Sequence, residues 1–284
     1  MREVEVHVLA AGSCKHPQAA TLRGGRWSPV AFPALPALLI HPLEGPILFD
    51  TGYAPAFDRA THPFPERMYR WLTPMRLDAG RDAASQCRAR GFEPGDVRHV
   101  VLSHFHADHI AGLHDFPQAR IHCARGGFVH ATTRGRWRSV CSGVLKGLLP
   151  HDIAARAKFF EEAPARELCA DARPFTQGAD LLGDGSLLAV ELPGHCPGHW
   201  GLLVADARCG LHFLVGDAAW SLGAIRSNTP PPWLTAAFLG RARLYRETLD
   251  ALHTLHKRNP DLVITPYHCQ ERAAALRPEE SGAA

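Results

Sequence analysis

No apolar run in this chain approaches the roughly 20 residues that a membrane-crossing helix needs. None of the eight cysteines stands in a C-x-x-C pair: Cys14, Cys87, Cys123, Cys141, Cys169, Cys196, Cys209 and Cys269 are scattered. That spacing argues against a disulfide framework, so reduced core or surface thiols are expected. The formal net charge of +3 is too small to mark a nucleic-acid partner. The stretch Met1–Val8 alternates polar and apolar residues and lacks the apolar core of a secretory signal. A cytoplasmic protein with neither nucleic acid nor membrane as partner is therefore expected.

What is present is ordinary for one folded unit. With 284 residues, 46% hydrophobic and 21% charged, the chain can bury one large core, and a single domain over 1–284 is expected. Val4–Ala10 reads as a strand followed by a loop. Ala34–His41 and Pro46–Phe49 read as a hairpin around Pro42-Leu43-Glu44-Gly45. Tyr53–Leu77 is rich in aromatics and proline, and reads either as a surface helix on the core or as a lid over an apolar pocket. Arg81–Arg90 is an amphipathic helix stopped by Gly91, and Glu93–Asp96 caps a turn. From about 126 to 176 the pattern is helical without strong strands, including Val140–Leu149 and Ile153–Glu162, and this stretch reads as an insertion. Four short strands follow: Asp180–Leu182, Ser186–Leu192, Gly201–Ala205 and Leu211–Val215. A helix over Leu239–His256 and a last strand, Asp261–Thr265, complete a layered α/β pattern.

The chemistry is concentrated in Ser103-His104-Phe105-His106-Ala107-Asp108-His109, directly after the apolar run Val97–Leu102. Imidazole nitrogens and a carboxylate oxygen suit zinc, iron or manganese, and no thiolate falls inside the cluster. Carried through as a strand, the alternation puts His104 and His106 on one face. A turn at Ala107-Asp108 then aims Asp108 and His109 at a second position, which points to two metals. Some of the 18 histidines must cluster by chance, but four ligands in this order at a strand end are poorly explained that way.

This H-x-H-x-D-H pattern resembles that of the metallo-β-lactamase superfamily, and the chain is identified as a member. The resemblance implies an α/β fold, a four-layer αβ/βα sandwich with metals at one edge. His195 after Leu192-Pro193-Gly194, Asp217 after Gly216 and His268 after the last strand are weak signals singly. Together, in this order, they match the rest of the superfamily's ligand sequence. The resemblance implies two divalent metal ions, zinc being expected and iron or manganese compatible. One ion would take His104, His106 and His195, the other Asp108, His109 and His268, with Asp217 bridging. Asp50, a simple turn former on its own residues, would lie behind the site and orient ligands without touching metal. His199 is expected to be structural.

Departures narrow the function. A bridging Asp217 argues against true β-lactamases, and His106 stands where flavodiiron proteins carry glutamate. The nearest resemblance is to N-acyl-homoserine-lactone lactonases, through Asp50-Thr51-Gly52-Tyr53, the histidine motif and Gly216-Asp217-Ala218-Ala219. Those enzymes usually carry a tyrosine where this chain has Trp220. The implied reaction is hydrolysis of an ester or lactone by a hydroxide bridging the metals. Asp108 and Asp217 would be catalytic, and Tyr53 and Trp220 would be the substrate contacts. A glyoxalase II-like thioesterase and a mononuclear iron sulfur dioxygenase are the alternatives.

Overall fold

The computed structural model describes residues 1–21, 23–232, 235 and 241–276. The first part of the chain supplies strands β1 (Glu3–Val8), β2 (Ser13–Pro17), β3 (Pro29–Pro33), β4 (Ala37–His41), β5 (Gly45–Phe49), β6 (Met75–Arg76), β7 (His99–Val101), β8 (Arg120–Cys123) and β9 (Ala157–Phe159). The remainder supplies β10 (Ala165–Glu167), β11 (Gln177–Asp180), β12 (Leu187–Glu191), β13 (Trp200–Asp206), β14 (Gly210–Gly216) and β15 (Val263–Pro266). From β1 the sheet runs one way through β4, β5, β7, β8 and β9. A short parallel pairing of Glu3 and Val4 with Ala205 and Asp206 joins β1 to β13 and so to the second half. There β12, β11 and β10 follow on one side, and β14 and β15 on the other.

Side-chain alternation turns these strands into layers. Leu38, Leu48 and Val100 face outward, onto a cluster with Ala83, Ala84 and Cys87 of the helix Ala83–Arg88. Their neighbours Leu39, Phe49 and Val101 face inward, and meet Leu187, Ala189, Leu202, Val204 and Leu214 of the other half. On the far side Leu188, Val190, Leu203 and Phe213 pack against Leu249, Leu252 and Leu255 of the helix Ala242–Arg258. Because both faces of each half are covered, the strands are apolar runs rather than polar–apolar alternations. The result is helix, sheet, sheet, helix: the expected four-layer α/β sandwich. Leu39, with no exposure, sits in the middle layer, where truncation to alanine costs about 2–5 kcal/mol.

Local signals set several boundaries. Asp82 caps Ala83–Arg88 by accepting from Ser85 N at 2.9 Å, and Gly91 leaves that segment at φ 83°. Glu93–Asp96 caps a turn as expected, through a capping box between Glu93 and Asp96. Other boundaries differ from expectation. The loop expected after β1 contains β2, which pairs with β3 and β6 in a separate three-stranded sheet. Ser-Cys-Lys-His-Pro has no apolar alternation, and its partners are distant in sequence, so nothing local announces it. Ile153–Glu162 is not one helix: it ends at Arg156, and β9 follows at the sheet edge. The covering helix starts at Ala242, and the expected start at Leu239 lies outside the described residues. Its buried stripe is Tyr245, Thr248, Leu249, Leu252 and Leu255, with Leu244 only half buried.

Tyr53–Leu77 divides in two. Tyr53 and Phe57 are sealed in the core, whereas Trp71 and Leu72 on the helix Glu66–Leu72 are 67% and 72% exposed. Among the described residues no helix is long and apolar enough to cross a membrane.

Candidate metal centre

The strand ends of both halves converge at one edge of the sandwich. Strand β7 stops at Val101, so His104 and His106 do not continue its alternation as expected. The backbone turns instead, and His106 becomes the residue before a short helix, Ala107–Ile110, that carries Asp108 and His109. The rings of His104 and His106 nonetheless lie 4.5 Å apart, and those of His104 and His109 3.9 Å apart. From the second half, His195 arrives after β12, Asp217 after β14 and His268 after β15. His195 Nε2 lies 3.0 Å from His106 Nδ1. His268 Nε2 lies 3.3 Å from Asp108 Oδ2.

Asp217 stands between the two groups. Its Oδ1 is 3.5 Å from His109 Nε2, and its Oδ2 is 3.3 Å from His195 Nε2 and 3.4 Å from His268 Nε2. Gly216 precedes it at φ 53°, where an added Cβ would come within 2.8 Å of His199 Nε2. The backbone thus approaches the site in a conformation and a space that favour glycine.

A layer behind the ligands fixes which nitrogen faces inward. His109 Nδ1 donates to Asp50 Oδ2 at 2.8 Å, His268 Nδ1 to Pro33 O at 2.8 Å, and His104 Nδ1 to Ser103 Oγ at 3.0 Å. Ser103 passes the chain on, its backbone N and its Oγ donating to Asp50 at 2.8 and 2.7 Å. Asp50 is fully buried and adopts φ 57°, a left-handed conformation, so its carboxylate is turned back onto this network. Each such bond turns Nε2 inward, toward the position a cation would take. His199 is occupied on both sides: Nδ1 donates to Leu192 O, and Nε2 accepts from Asp217 N, each at 3.0 Å. It positions Asp217 and offers no free lone pair.

The fit to metal ions rests on atoms that find no partner. His104 Nε2, His109 Nε2 and Asp217 Oδ1 are all buried and unpaired, while His195 turns its Nε2 toward His106 and Asp217. Such groups are costly to bury unless something satisfies them. The donors fall into groups spaced for a shared ion: His104, His106 and His195 with Cys196; His104, His109 and Asp217; and Asp108, His109 and His268. The inclusion of Cys196 is new, because its thiol is brought beside the histidines by the turn after β12.

Electrostatics divide the cluster. Burial, reinforced by neighbouring histidines, holds His104 well below an ordinary imidazole, and burial drives His106 down to about 4. Burial likewise lowers His195 well below the usual range, although the Asp217 charge opposes it. Burial would also lower His109, but the carboxylates of Asp50, Asp108 and Asp217 outweigh it and raise it to about 10. Burial opposes ionisation of Asp108, yet His109 and His268 bring it down to about 2. The carboxylates demand positive charge, which two divalent ions would supply.

Sequence reasoning missed three contributors. Ser103 links His104 to Asp50, and Gly143 lies so close to His106 that an added Cβ would meet its ring at 2.9 Å. Tyr267 stacks on His109 with centroids 3.8 Å apart and donates its hydroxyl to Asp108 O at 2.8 Å. The one sequence signal for Ser103 and Tyr267 is their adjacency to ligands; Gly143 has no local signal. Of the two expected substrate contacts, Trp220 donates Nε1–H to Asp217 Oδ2 at 3.2 Å and is partly open. Tyr53 is fully buried, its hydroxyl unpaired.

The family model of the metallo-beta-lactamase superfamily matches residues 36–264. The chain belongs to this superfamily. A probable metallo-hydrolase of Mycobacterium tuberculosis is 33% identical over 246 residues, covering 81% of this chain and 73% of that protein. The N-acyl homoserine lactonase AttM of Azorhizobium caulinodans is 29% identical over 270 residues, 93% of each chain. A solved N-acyl homoserine lactone hydrolase, with N-hexanoyl-L-homoserine at its catalytic metal centre, superimposes with a TM-score of 0.72. It covers 96% of both chains at 20% identity, a likeness of fold. Within the superfamily this chain is a metal-dependent hydrolase, with a His/Asp metal centre at the sandwich edge.

Proposed function

We propose that this chain opens an ester or lactone bond of a small molecule with an apolar portion, using two divalent ions, zinc by preference. One ion is held by His104, His106 and His195, the other by Asp108, His109 and His268, and Asp217 is shared. The observation that carries this reading is Asp217, within 3.3–3.5 Å of His195, His109 and His268 at once. A carboxylate so placed serves two cations better than one. When bound, the ions would supply a hydroxide at neutral pH and polarise the substrate carbonyl.

The protein's own groups do the rest. Asp50 and Ser103 hold the rings of His109 and His104 in the orientation that presents Nε2. Trp220, its indole N–H donated to Asp217, forms a wall beside the reacting carbonyl and becomes a donor to it only if that bond opens. Asp108 would carry the proton from the attacking water to the leaving alkoxide, so that a lactone plus water gives the hydroxy acid. The exposed apolar side chains Phe64, Met68, Trp71 and Leu72 on the segment 53–77 give an acyl tail a surface to lie against. Tyr53 supports that segment from within and does not face substrate. The stretch 126–176 packs against that segment, Trp137 on Phe64 and Arg136 on Glu66, and reaches the site where Gly143 meets His106; the whole is read as one domain. The relatives named lactonases, one of them similar along nearly its whole length, support this substrate class.

The test is a comparison of kcat/KM on a long-chain N-acyl homoserine lactone, a glutathione thioester and a phosphodiester, using protein of measured metal content. The lactone should lead. A leading thioester would move the assignment to a glyoxalase II-like enzyme, and a single bound iron would favour the dioxygenase.

A further inference from the structure

Strands β13 and β14 form a hairpin with Asp217 at one end. At its other end, five residues and so about 17 Å away along β14, lies a second cluster of metal-ligating side chains. The turn reads Asp206-Ala207-Arg208-Cys209-Gly210-Leu211-His212. Asp206 and Gly210 pair across the hairpin, and Cys209 N donates to Asp206 O at 3.3 Å. The tight turn folds three different ligand types onto one another. Asp206 Oδ2 is 3.2 Å from Cys209 Sγ and 3.5 Å from His212 Nδ1.

Two features set this apart from an ordinary polar turn. The side chain of His212 is 6% exposed, and its Nδ1 is buried without a hydrogen-bond partner while aimed at Asp206 and Cys209. Its other nitrogen, Nε2, lies 2.9 Å from the Oγ1 of buried Thr265. An Nε2–H donated to Thr265 leaves the Nδ1 lone pair pointing into the cluster, the arrangement that orients metal-bound histidines elsewhere. The spacing also fits. Ligands at zinc distances around a tetrahedron stand roughly 3.3–3.7 Å apart, and the separations from Asp206 Oδ2 already have about that value.

We propose that Asp206, Cys209 and His212 form a second, independent cation site, selective for zinc-like ions, that clips the hairpin at the end remote from the main centre. Carboxylate, thiolate and imidazole together suit Zn²⁺ better than Mg²⁺ or Ca²⁺. The exposed side of Cys209 leaves a fourth position for water. Asp206 is already oriented toward this position, because its Oδ1 accepts from Arg208 N at 3.1 Å and Val6 N at 3.4 Å, leaving Oδ2 for the ion. Arg208 Nε lies 3.7 Å from the same Oδ1. Burial and the Asp206 charge keep the free Cys209 thiol up at about 11, so without a cation it donates to Asp206. Binding an ion would displace that one proton to solvent and leave the thiolate on the metal.

The experiment titrates Co²⁺ into the chelated full chain and reads the near-ultraviolet thiolate-to-cobalt band together with metal content. The band should appear, vanish in Cys209→Ala with loss of one ion per chain, and persist in Cys196→Ala. Zinc should also slow alkylation of Cys209 in the unsubstituted chain by about tenfold or more. No band, a band that survives Cys209→Ala, or an alkylation rate indifferent to zinc would each overturn the proposal and leave the cluster as a hydrogen-bonded turn.

Discussion

The two sides of the main cluster share residue types but not charge. Around His104, His106 and His195, burial strips protons from the rings and leaves neutral donors. Around His109 and His268, the carboxylates of Asp50, Asp108 and Asp217 hold protons on equally buried rings. One side is ready for a cation, whereas the other exchanges protons for one. The lesson is that burial alone does not set the state of a histidine; the count of nearby carboxylates does.

The largest effect should come from the residue both sides share. Asp217→Ala removes the anion between them, and should lose bound metal and at least about a thousandfold in kcat/KM with the fold intact by circular dichroism. An unchanged metal content would show that Asp217 serves neither side.

Next comes the support behind the carboxylate-rich side. Asp50→Asn keeps the shape but weakens the hold on His109, so activity should fall about 10–100-fold while appreciable metal stays bound. Loss confined to the ion near His109, read by metal stoichiometry, would sharpen the contrast. Equal loss at both positions would break it.

The pH dependence of loading follows from the same contrast. His109, held at about 10, must give up its proton to bind a cation, and His268, also raised, must give up another, so affinity at that side should tighten by between about tenfold and about a hundredfold per pH unit between 6 and 8. Calorimetry in buffers of different ionisation heat should record the proton release. In the chelated chain the signs run the other way. The raised His109 contributes stability fully below about 6.5 and loses it as pH rises through about 10. The lowered Asp108 contributes above about 3.8 and loses it as pH falls toward about 2. Thermal midpoints flat across that range would contradict both.

The smallest effect belongs to Trp220. Trp220→Phe removes one donor to Asp217 from a wall of the site, and should change lactone kcat/KM a few-fold, about 1 kcal/mol, with metal content unchanged. A change in metal content would make Trp220 a support of the centre, not of the substrate.

Much of this site was legible because its residues are local. His104, His106, Asp108 and His109 fall within six positions, and the turn that presents them needs only the end of β7 and one short helix. His195, Asp217 and His268 carried meaning only as an ordered set at strand ends. Asp50 read on its own residues as a turn former, and only the resemblance placed it behind the site; its left-handed backbone and three contacts to Ser103 and His109 are what hold it there. The layering was legible too, since Leu38/Leu39 and Leu188/Ala189 sit next to one another in sequence and must face opposite layers. Strands β2 and β10 were not, because their residues carry no apolar alternation, and the three residues of β9 are too few to stand out from the helical pattern around them.

By itself, then, the sequence determined the ligand types, their order and the sandwich of apolar strands, because these depend on side-chain chemistry and short-range periodicity. Only the tertiary structure decided which lone pairs converge. It placed Cys196 beside the histidines, Tyr267 against His109, Tyr53 in the core, and Asp206 with Cys209 and His212 at the far end of the same hairpin. Those outcomes depend on distances of a few ångströms between strand ends, which are fixed by packing both halves of the sheet at once.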